Sequence, residues 1–561
     1  MKYRKYIFVV GGVMSGVCKG VAASSIGTIL KGRGFRVTAL KIDPYINVDA
    51  GTMNPTVHGE IFVLNDGDET DQDMGNYERF LGVDLTRDNY MTTGRVYQEV
   101  IRKERNLEYK GACVEVVPDI PLEVIRRIEH VSMSVHADIT LIEIGGTVGE
   151  YQNILFLEAA RMMKSRHPDD VAVVLVSYLP VPGSIGEMKT KPTQYAARTL
   201  NSAGVFADVI IARSTVALDE KRKEKISVFC NVPKERVIAA PDVTSIYDVP
   251  INFEKDNLGR TLCEALHLKN GKQAGLKEWK AFVRKTKNSK RDVKIAIIGK
   301  YFRSGEFMLS DVYISVIEAL KFSSYAQDIK PVITYIDSKD FETPNADCGI
   351  LKAYDGVLVP GGFGESGVEG KIRIIEYARK KKVPYFGLCY GMQLAVVEYA
   401  RNVLKWKDAS TTEINKTTRH PVIDIMPEQK ALLAGGGSYG ASMRLGAYKA
   451  VLKNGTIAGN AYGTTEVSER HRHRYEVNPE YVAKLEEAGL VFSGCSPDGK
   501  LMEIVELPCT KHPFFLGTQF HPEFTARPLH PHKLFTAFIR AAMDRSRKRK
   551  KCRQKQGCDM L

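Results

Sequence analysis

Val383-Pro-Tyr-Phe-Gly-Leu-Cys-Tyr-Gly-Met392 decides how the second half of this chain folds. A short apolar strand runs into Gly387-x-Cys389-x-Gly391, and a helical pattern follows at Gln393-Leu-Ala-Val-Val-Glu-Tyr-Ala-Arg401. A cysteine between glycines, on a sharp strand-to-helix turn, has the geometry of a nucleophile elbow. The helix N-terminus behind it favours a thiolate. Far downstream, a strand-like run over 514–520 leads into His521-Pro522-Glu523. Cys389, His521 and Glu523 therefore form a candidate triad of nucleophile, base and orienting carboxylate. The loop Pro360-Gly-Gly-Phe-Gly364 upstream strengthens that reading.

Working outward, strands are expected at 294–299 and 356–360 and a last helix near 534–543, which makes the second block α/β. The first block, 1–268, alternates strand-like runs (6–10, 36–40, 139–143, 171–176, 209–212, 237–239) with helical patterns. That alternation predicts a parallel sheet covered by helices on both faces. Residues 269–292 are polar and basic around one helical piece near Trp279 and read as a linker. The block 293–545 follows, and 546–561 read as a basic, disordered tail.

The length of 561 residues exceeds one ordinary core. No apolar run is long enough to span a membrane. The first strand is followed by glycines and is not a signal peptide. Ten cysteines without C-x-x-C pairs read as reduced thiols of a cytoplasmic protein, with neither a disulfide framework nor a zinc site. The net charge of +14 suits nucleotides as partners. Part of it sits in Arg545-Ser-Arg-Lys-Arg-Lys-Lys-Cys-Arg553, read as a solvated tail rather than a nucleic-acid arm.

The first block carries a second candidate site. After the first strand comes Gly11-Gly-Val-Met-Ser-Gly-Val-Cys-Lys19-Gly20, then a helical run. Strand, glycine-rich loop and helix bring backbone N–H groups, a helix dipole and Lys19 together around phosphate. The standard Walker pattern fails, because Cys18 precedes Lys19 and Gly20 follows it. Asp73 and Glu143 are candidate ligands for Mg²⁺ on ATP phosphates, since hard cations take carboxylate oxygens. The loop Lys189-Thr-Lys-Pro-Thr-Gln194 has two cations to grip a second polyphosphate.

Taken together these motifs resemble the CTP synthase family over about residues 1–543. The carriers are 11–16, Lys41-Ile-Asp-Pro-Tyr-Ile-Asn47, Val57-His-Gly-Glu60, Gly75-Asn-Tyr-Glu-Arg-Phe80, Glu143-Ile-Gly-Gly-Thr-Val-Gly149 and Lys189–Gln194. In the second half they are Gly361–Gly364, Gly387–Gln393, Met443-Arg-Leu-Gly-Ala-Tyr448, Arg470-His-Arg-His-Arg-Tyr-Glu476 and Gln519-Phe-His-Pro-Glu-Phe524. The resemblance implies two doubly wound α/β domains. One is a P-loop-like, dethiobiotin-synthetase-like amidoligase domain; the other is a class I glutamine amidotransferase domain.

It also implies a reaction. Glutamine is hydrolysed at Cys389 through a thioester, with His521 as base and Glu523 orienting it. Amides near Gly362 and Tyr390 hold the oxyanion, and Gly391, Met392, Gln393, Glu413 and Arg474 complete the glutamine site. Ammonia passes His58, the gating position of an internal tunnel. ATP phosphorylates UTP and ammonia displaces the phosphate, giving CTP. Gly16, Val17, Cys18, Lys19, Gly20, Lys41, Asp73, Arg213, Asp242 and Val243 match ATP-binding positions. Ser15, Glu150, Tyr151, Gln152, Lys189, Thr190, Lys191, Pro192, Thr193, Gln194 and Lys225 match UTP positions, which product CTP overlaps. A homotetramer, GTP as activator and CTP as feedback inhibitor belong to the same implication.

The chain departs from the family at several places. Cys18 replaces a phosphate-loop glycine, Asp119 and Tyr195 stand where His is usual, and Tyr151 and Gln152 replace Ile and Glu. Ser366 replaces an Arg of the lid tied to GTP. These changes weaken the expectations of CTP inhibition and GTP activation. Two other readings use the same residues. An amidoligase with a different acceptor is opposed by the loop 189–194 and the block around Lys41. A non-catalytic filament-forming or nucleic-acid-binding relative is opposed by the intact Cys389, His521 and Glu523.

Overall fold

The computed structural model describes residues 4–12, 14, 16–54, 58–183, 186–269, 276–300, 303–304, 307–308, 311–343, 345–426, 429–430 and 442–558. Two compact units emerge: Met1–Asp49 with Asp73–Val283, and Ala50–Gln72 with Arg284–Leu561.

The first unit is built on seven parallel strands. Their spatial order is Tyr90–Thr92, Val37–Asp43, Ile139–Ile144, Lys5–Gly11, Val171–Tyr178, Val209–Ser214 and Val237–Pro241. Strands covered on both faces need apolar residues on both, and Val171–Tyr178 (VAVVLVSY) is buried at every position up to Ser177. One face packs Phe8, Leu40, Ile142 and Leu175 against Val124, Ile128, Phe156 and Leu200 of the covering helices. Helix Lys19–Gly32 also packs on strands Val37–Asp43 and Ile139–Ile144. The short edge strand Tyr90–Thr92 was not among the expected strands; three residues leave no readable alternation.

The stretch expected to be a linker contains helix Leu276–Asn288. Its Leu276, Trp279, Phe282 and Val283 are buried, and Trp279 lies 5.0 Å from the Phe80 ring. The indole Nε1 donates to Tyr247 O at 2.9 Å. The apolar residues recur at helical spacing within a strongly basic sequence, and residues up to Val283 belong to the first unit.

The second unit holds a nine-stranded mixed sheet. Ile329–Asp337, Arg291–Gly299, Gly356–Val359, Tyr385–Leu388 and Phe515–Thr518 run parallel. Met502–Glu506, Val491–Cys495, Arg444–Leu452 and Glu466–His473 extend it antiparallel. The doubly wound expectation describes the parallel half only. In the extension, strand Arg444–Leu452 is partly exposed, as an antiparallel strand with one wet face tolerates.

Two further differences matter. Ala50–Gln72 was expected in the first block, yet it packs within the second unit. There Ala447 N–H donates to Asn65 O at 2.8 Å, Arg472 pairs with Glu69 at 2.8 Å, and Ser315 N–H donates to Glu60 at 3.2 Å. An acidic, non-periodic segment carries no local sign of such distant partners. The tail expected to be disordered is instead helical as far as Cys558, as part of Lys533–Cys558. Extending an existing helix needs no new nucleus, Lys and Arg are good helix formers, and Arg549 anchors the turn on Asp355 at 2.8 Å. Among the described residues no helix is long and apolar enough to cross a membrane.

Candidate functional site

Three neighbouring parallel strands in the middle of the sheet build the thiol site at their C-terminal ends. Gly356–Val359 leads into the glycine loop, Tyr385–Leu388 into Cys389, and Phe515–Thr518 into Gln519 and His521. Their shared direction brings all three segments to the same end.

Cys389 sits at φ 48°, ψ −99°, and helix Tyr390–Asn402 starts immediately after it. The flanking glycines are required by space. A Cβ on Gly391 would lie 2.2 Å from Val359 O, and one on Gly387 would lie 2.5 Å from Tyr385 Oη. Cys389 N–H donates to Thr518 O at 2.6 Å, so it is already committed to the sheet. The first-turn amides of Tyr390, Gly391 and Met392, with the Gly361–Gly364 loop, are left as candidate oxyanion donors.

The thiol is 3% exposed. Gln519 Nε2 donates to its sulfur at 3.6 Å, and the sulfur approaches Arg472 O at 3.8 Å. His521 Nδ1 bonds Glu523 Oε1 at 2.7 Å, which fixes the ring. A Cβ on Gly361 would lie 3.7 Å from both His521 Nε2 and Cys389 Cβ, so that nitrogen is on the thiol side. Burial works to lower the His521 pKa, but Glu523 and Cys389 outweigh it and raise it to about 10. The arrangement favours imidazolium beside sulfur.

The loop behind the thiol is held from several directions. Glu413 accepts from Gly364 N–H at 2.6 Å. Lys300 Nζ donates to the carbonyls of Phe363 and Gly364, and Tyr390 Oη donates to Gly364 O at 2.9 Å. The Tyr390 ring lies 5.6 Å from Lys300 Nζ and 5.4 Å from Lys371 Nζ. Lys371 is fully buried, its ammonium finds no hydrogen-bond partner among the described residues, and burial together with Lys300 lowers its pKa to about 7.

A cavity of about 280 Å³ opens onto Cys389, His521 and Glu523 and is also lined by Gly362 and Arg474. Gln393 stands in the wall of the helix, with Nε2 donating to Tyr475 O at 2.7 Å. Met392 is wholly buried behind it. Sequence reasoning passed over Gln519, Arg472 and Glu60, although Arg472 and Glu60 line the cavity. All three stand inside quoted motifs, beside residues that were singled out.

In the first unit, strand register sets Lys41 beside Glu143. Lys41 Nζ lies 2.5 Å from Asp73, 2.9 Å from Glu143 and 3.7 Å from Asp43. Tyr77 donates to Glu143, and Lys19 Nζ donates to Gly146 O at 2.8 Å. A Cβ on Gly20 would lie 2.1 Å from Asp73 Oδ1, so that carboxylate can reach the loop only past a glycine. Burial pushes the Glu143 and Asp43 carboxyls up despite Lys41. At Asp73 burial also acts upward, but Lys41 wins and lowers it. Asp73 and Glu143 converge on one cationic position with hard oxygen donors, which fits Mg²⁺. No group of three or more metal-binding side chains occurs among the described residues.

Val17, Cys18, Arg213, Asp242 and Val243 line a cavity of about 300 Å³ at the end of the same sheet. Cys18 caps helix Lys19–Gly32 in the left-handed conformation, φ 58°. Arg213 reaches Cys18 Sγ at 2.9 Å, Gly16 O at 3.3 Å and Asp242 at 2.7 Å.

Lys189 pairs with Glu187 at 2.5 Å, and the Lys225 charge also acts on that carboxylate. Thr190 precedes helix Lys191–Ser202, Pro192 is in its first turn, and Lys191 lies over the Phe229 ring. Thr193 donates to Ser177 Oγ at 3.0 Å, and Gln194 to Thr190 Oγ1 at 3.1 Å. Glu150 accepts from Gln152 at 2.6 Å, and Tyr151 is 93% exposed. Ser15 lies outside the described residues. His58 and Ser366 are exposed.

The family "CTP synthase N-terminus" matches residues 5–268, and "Glutamine amidotransferase class-I" matches residues 308–541. A CTP synthase of Thermococcus gammatolerans is 49% identical over 543 residues, covering 96% of this chain and 99% of its own. One of Halalkalibacterium halodurans is 47% identical over 540 residues, covering 96% and 99%. Among solved structures, the glutaminase domain of Trypanosoma brucei CTPS with bound acivicin matches at 38% identity and TM-score 0.41, over 45% of this chain and 94% of that one.

Proposed function

The chain belongs to the CTP synthase family, and from that premise we propose how its own residues divide the work. The reaction is formation of CTP from UTP, with ATP as co-substrate and glutamine as nitrogen donor.

Cys389 is the nucleophile. Its sulfur attacks the glutamine carboxamide carbon, and the developing oxyanion takes amides of the Tyr390 turn and the Gly362 loop. Imidazolium His521 gives its proton to the departing nitrogen, so that ammonia leaves and a thioester remains. Water then attacks the thioester, His521 takes a proton from it, and glutamate is released with the thiolate restored. Glu523 holds the ring and stabilises its charge. Arg474 and Gln393 position the polar ends of glutamine, and Glu413 does so directly or through the loop it braces. The observation that carries this half is the convergence of Cys389, Gln519 and the His521–Glu523 pair at the C-terminal ends of neighbouring parallel strands.

The synthase half rests on charge. Phosphoryl transfer needs neutralisation more than covalent help. Lys19 and Lys41 face the phosphates of ATP, and the cavity at Cys18, Arg213, Asp242 and Val243 takes its base and ribose. Asp73 and Glu143 would hold Mg²⁺, which supplies further neutralisation on the phosphates. Lys189, Lys191, Lys225 and the helix start at Thr190 take UTP, with Glu150, Tyr151 and Gln152 at its edge. A homotetramer, activation by GTP and inhibition by CTP rest on family resemblance alone.

The deciding assay is CTP formation from UTP and ATP, with glutamine or ammonium as nitrogen source. Glutamine-driven and ammonia-driven CTP formation are both expected. ATP turnover with ammonium that ignores UTP would overturn the reading.

A further inference from the structure

Another cavity of the second unit lies against the last helix and measures about 970 Å³. One face of helix Lys533–Cys558 forms its wall: Ala537, Arg540, Ala541, Asp544, Arg545 and Lys548 recur at helical spacing. The two alanines leave the space, and the long basic side chains border it. Opposite stand Lys352, Lys382 and the loop Cys509–Phe514, which contributes Lys511.

The charge is strongly one-sided. Lys352, Lys382, Lys511, Arg540 and Lys548 have no carboxylate partner among the described residues. Arg549 pairs with Asp355, and Arg545 spends its guanidinium on the carbonyls of Tyr354 and Lys382, both at 3.4 Å. Burial and the Arg549 charge lower the Arg545 pKa, as expected where positive charge is in excess. The one lining carboxylate, Asp544, pairs with Arg547 at 3.6 Å. Cations gathered around a concave space raise the local potential and concentrate anions there.

We propose that this cavity is a binding site for a polyphosphate chain, free or carried on a nucleotide. It lies apart from the residues of both reaction centres. The size is at the upper end of small-ligand sites. Lysine predominates, supplying point charges that suit phosphate. Ile457 and Phe514, the large apolar residues of the lining, are themselves nearly buried and offer little surface to a peptide's side chains.

Cys509 is exposed and lines the cavity, so its alkylation reports occupancy. Exposed Cys18 reports the nucleotide loop, and exposed Cys113 lines neither. With the full chain and N-ethylmaleimide, read by peptide mapping at constant ionic strength, tripolyphosphate should slow Cys509 saturably. The slowing should be about tenfold at ten times its dissociation constant, with Cys113 unchanged. The triple variant Lys511→Ala, Arg540→Ala, Lys548→Ala should lose that protection while ATP still protects Cys18. A lower half-protection concentration for ATP than for tripolyphosphate identifies a nucleotide; the reverse order identifies a bare chain. Cys509 that reacts equally with and without both, protection that survives in the triple variant, or protection by single-stranded RNA or oligoglutamate but not by tripolyphosphate would each overturn the proposal.

Discussion

The two proposed reaction centres handle buried charge in opposite ways. At Cys389 the working parts stand assembled: a strained nucleophile, a ring fixed by Glu523 and a loop braced by Glu413, Lys300 and Tyr390. At Lys41 the parts neutralise one another, with one ammonium among three carboxylates. Covalent chemistry needs its geometry fixed before substrate arrives. An electrostatic centre can rest neutralised and re-pair when phosphates and their cation enter.

The sharpest way to break that contrast is Cys389→Ala. Glutamine-driven CTP formation should fall by about 10⁴-fold or more, while ammonia-driven formation stays near wild type. A parallel loss of both rates would mean that the centres are not separable.

Glu523→Gln tests the preassembled centre next, with glutamine hydrolysis expected to drop by about 10³-fold. It also has a pH signature. The His521 pKa is raised from 6.5 to about 10, so its contribution to stability is full below 6.5 and disappears as pH rises through 10. The variant loses the largest upward influence. Its stability deficit, followed by urea melts, should therefore be greatest below pH 6.5 and shrink above 10. A deficit that grows with pH would contradict the sign.

Lys41→Met probes the self-neutralised centre. Unpairing buried Glu143 and half-buried Asp73 should cost about 3–5 kcal/mol in the melt of the first unit. CTP formation should stop with either nitrogen source while glutamine hydrolysis persists. Retained ammonia-driven synthesis would show that Lys41 is structural only.

Smaller effects lie at the departures. Cys18→Gly removes about 1 kcal/mol of left-handed strain, partly offset by added unfolded-state freedom, and should lower the KM for ATP a few-fold. A higher KM would show that the Arg213–Cys18 contact outweighs the strain. Ser366→Arg should increase the response of glutamine hydrolysis to GTP; an unchanged response would refute the argument from the lid.

These outcomes depend on features that were unevenly legible in sequence. The inner parallel strands were, because strands buried on two faces must be continuously apolar; the edge strands Tyr90–Thr92, with three residues, and Ile329–Asp337, largely half-buried, were not. The elbow was, because only glycines fit beside Cys389. The antiparallel extension was not, since its strands are half wet and interrupted. Gln519 was passed over because an amide carries no charge signature, although it precedes His521 by two residues. Lys371 gave no signal at all: a lysine in a helix reads as exposed, and only packing reveals it beneath Tyr390. The left-handed Cys18 was legible as an anomaly in a glycine position, while its contact with Arg213 was not.

The segment Ala50–Gln72 has a consequence for the birth of the protein. Asn65 accepts from Arg470, 405 positions further along the chain. During synthesis the early piece must wait for nearly everything else. Closing a loop of that length costs roughly 5 kcal/mol in an unstructured chain. Folding Asp73–Val283 first removes about half of that chain from the loop. Residues Gly51, Met53, Glu60 and Ile61 wall the thiol cavity, so the proposed ammonia-releasing centre is completed only when the early segment meets strands that are made last.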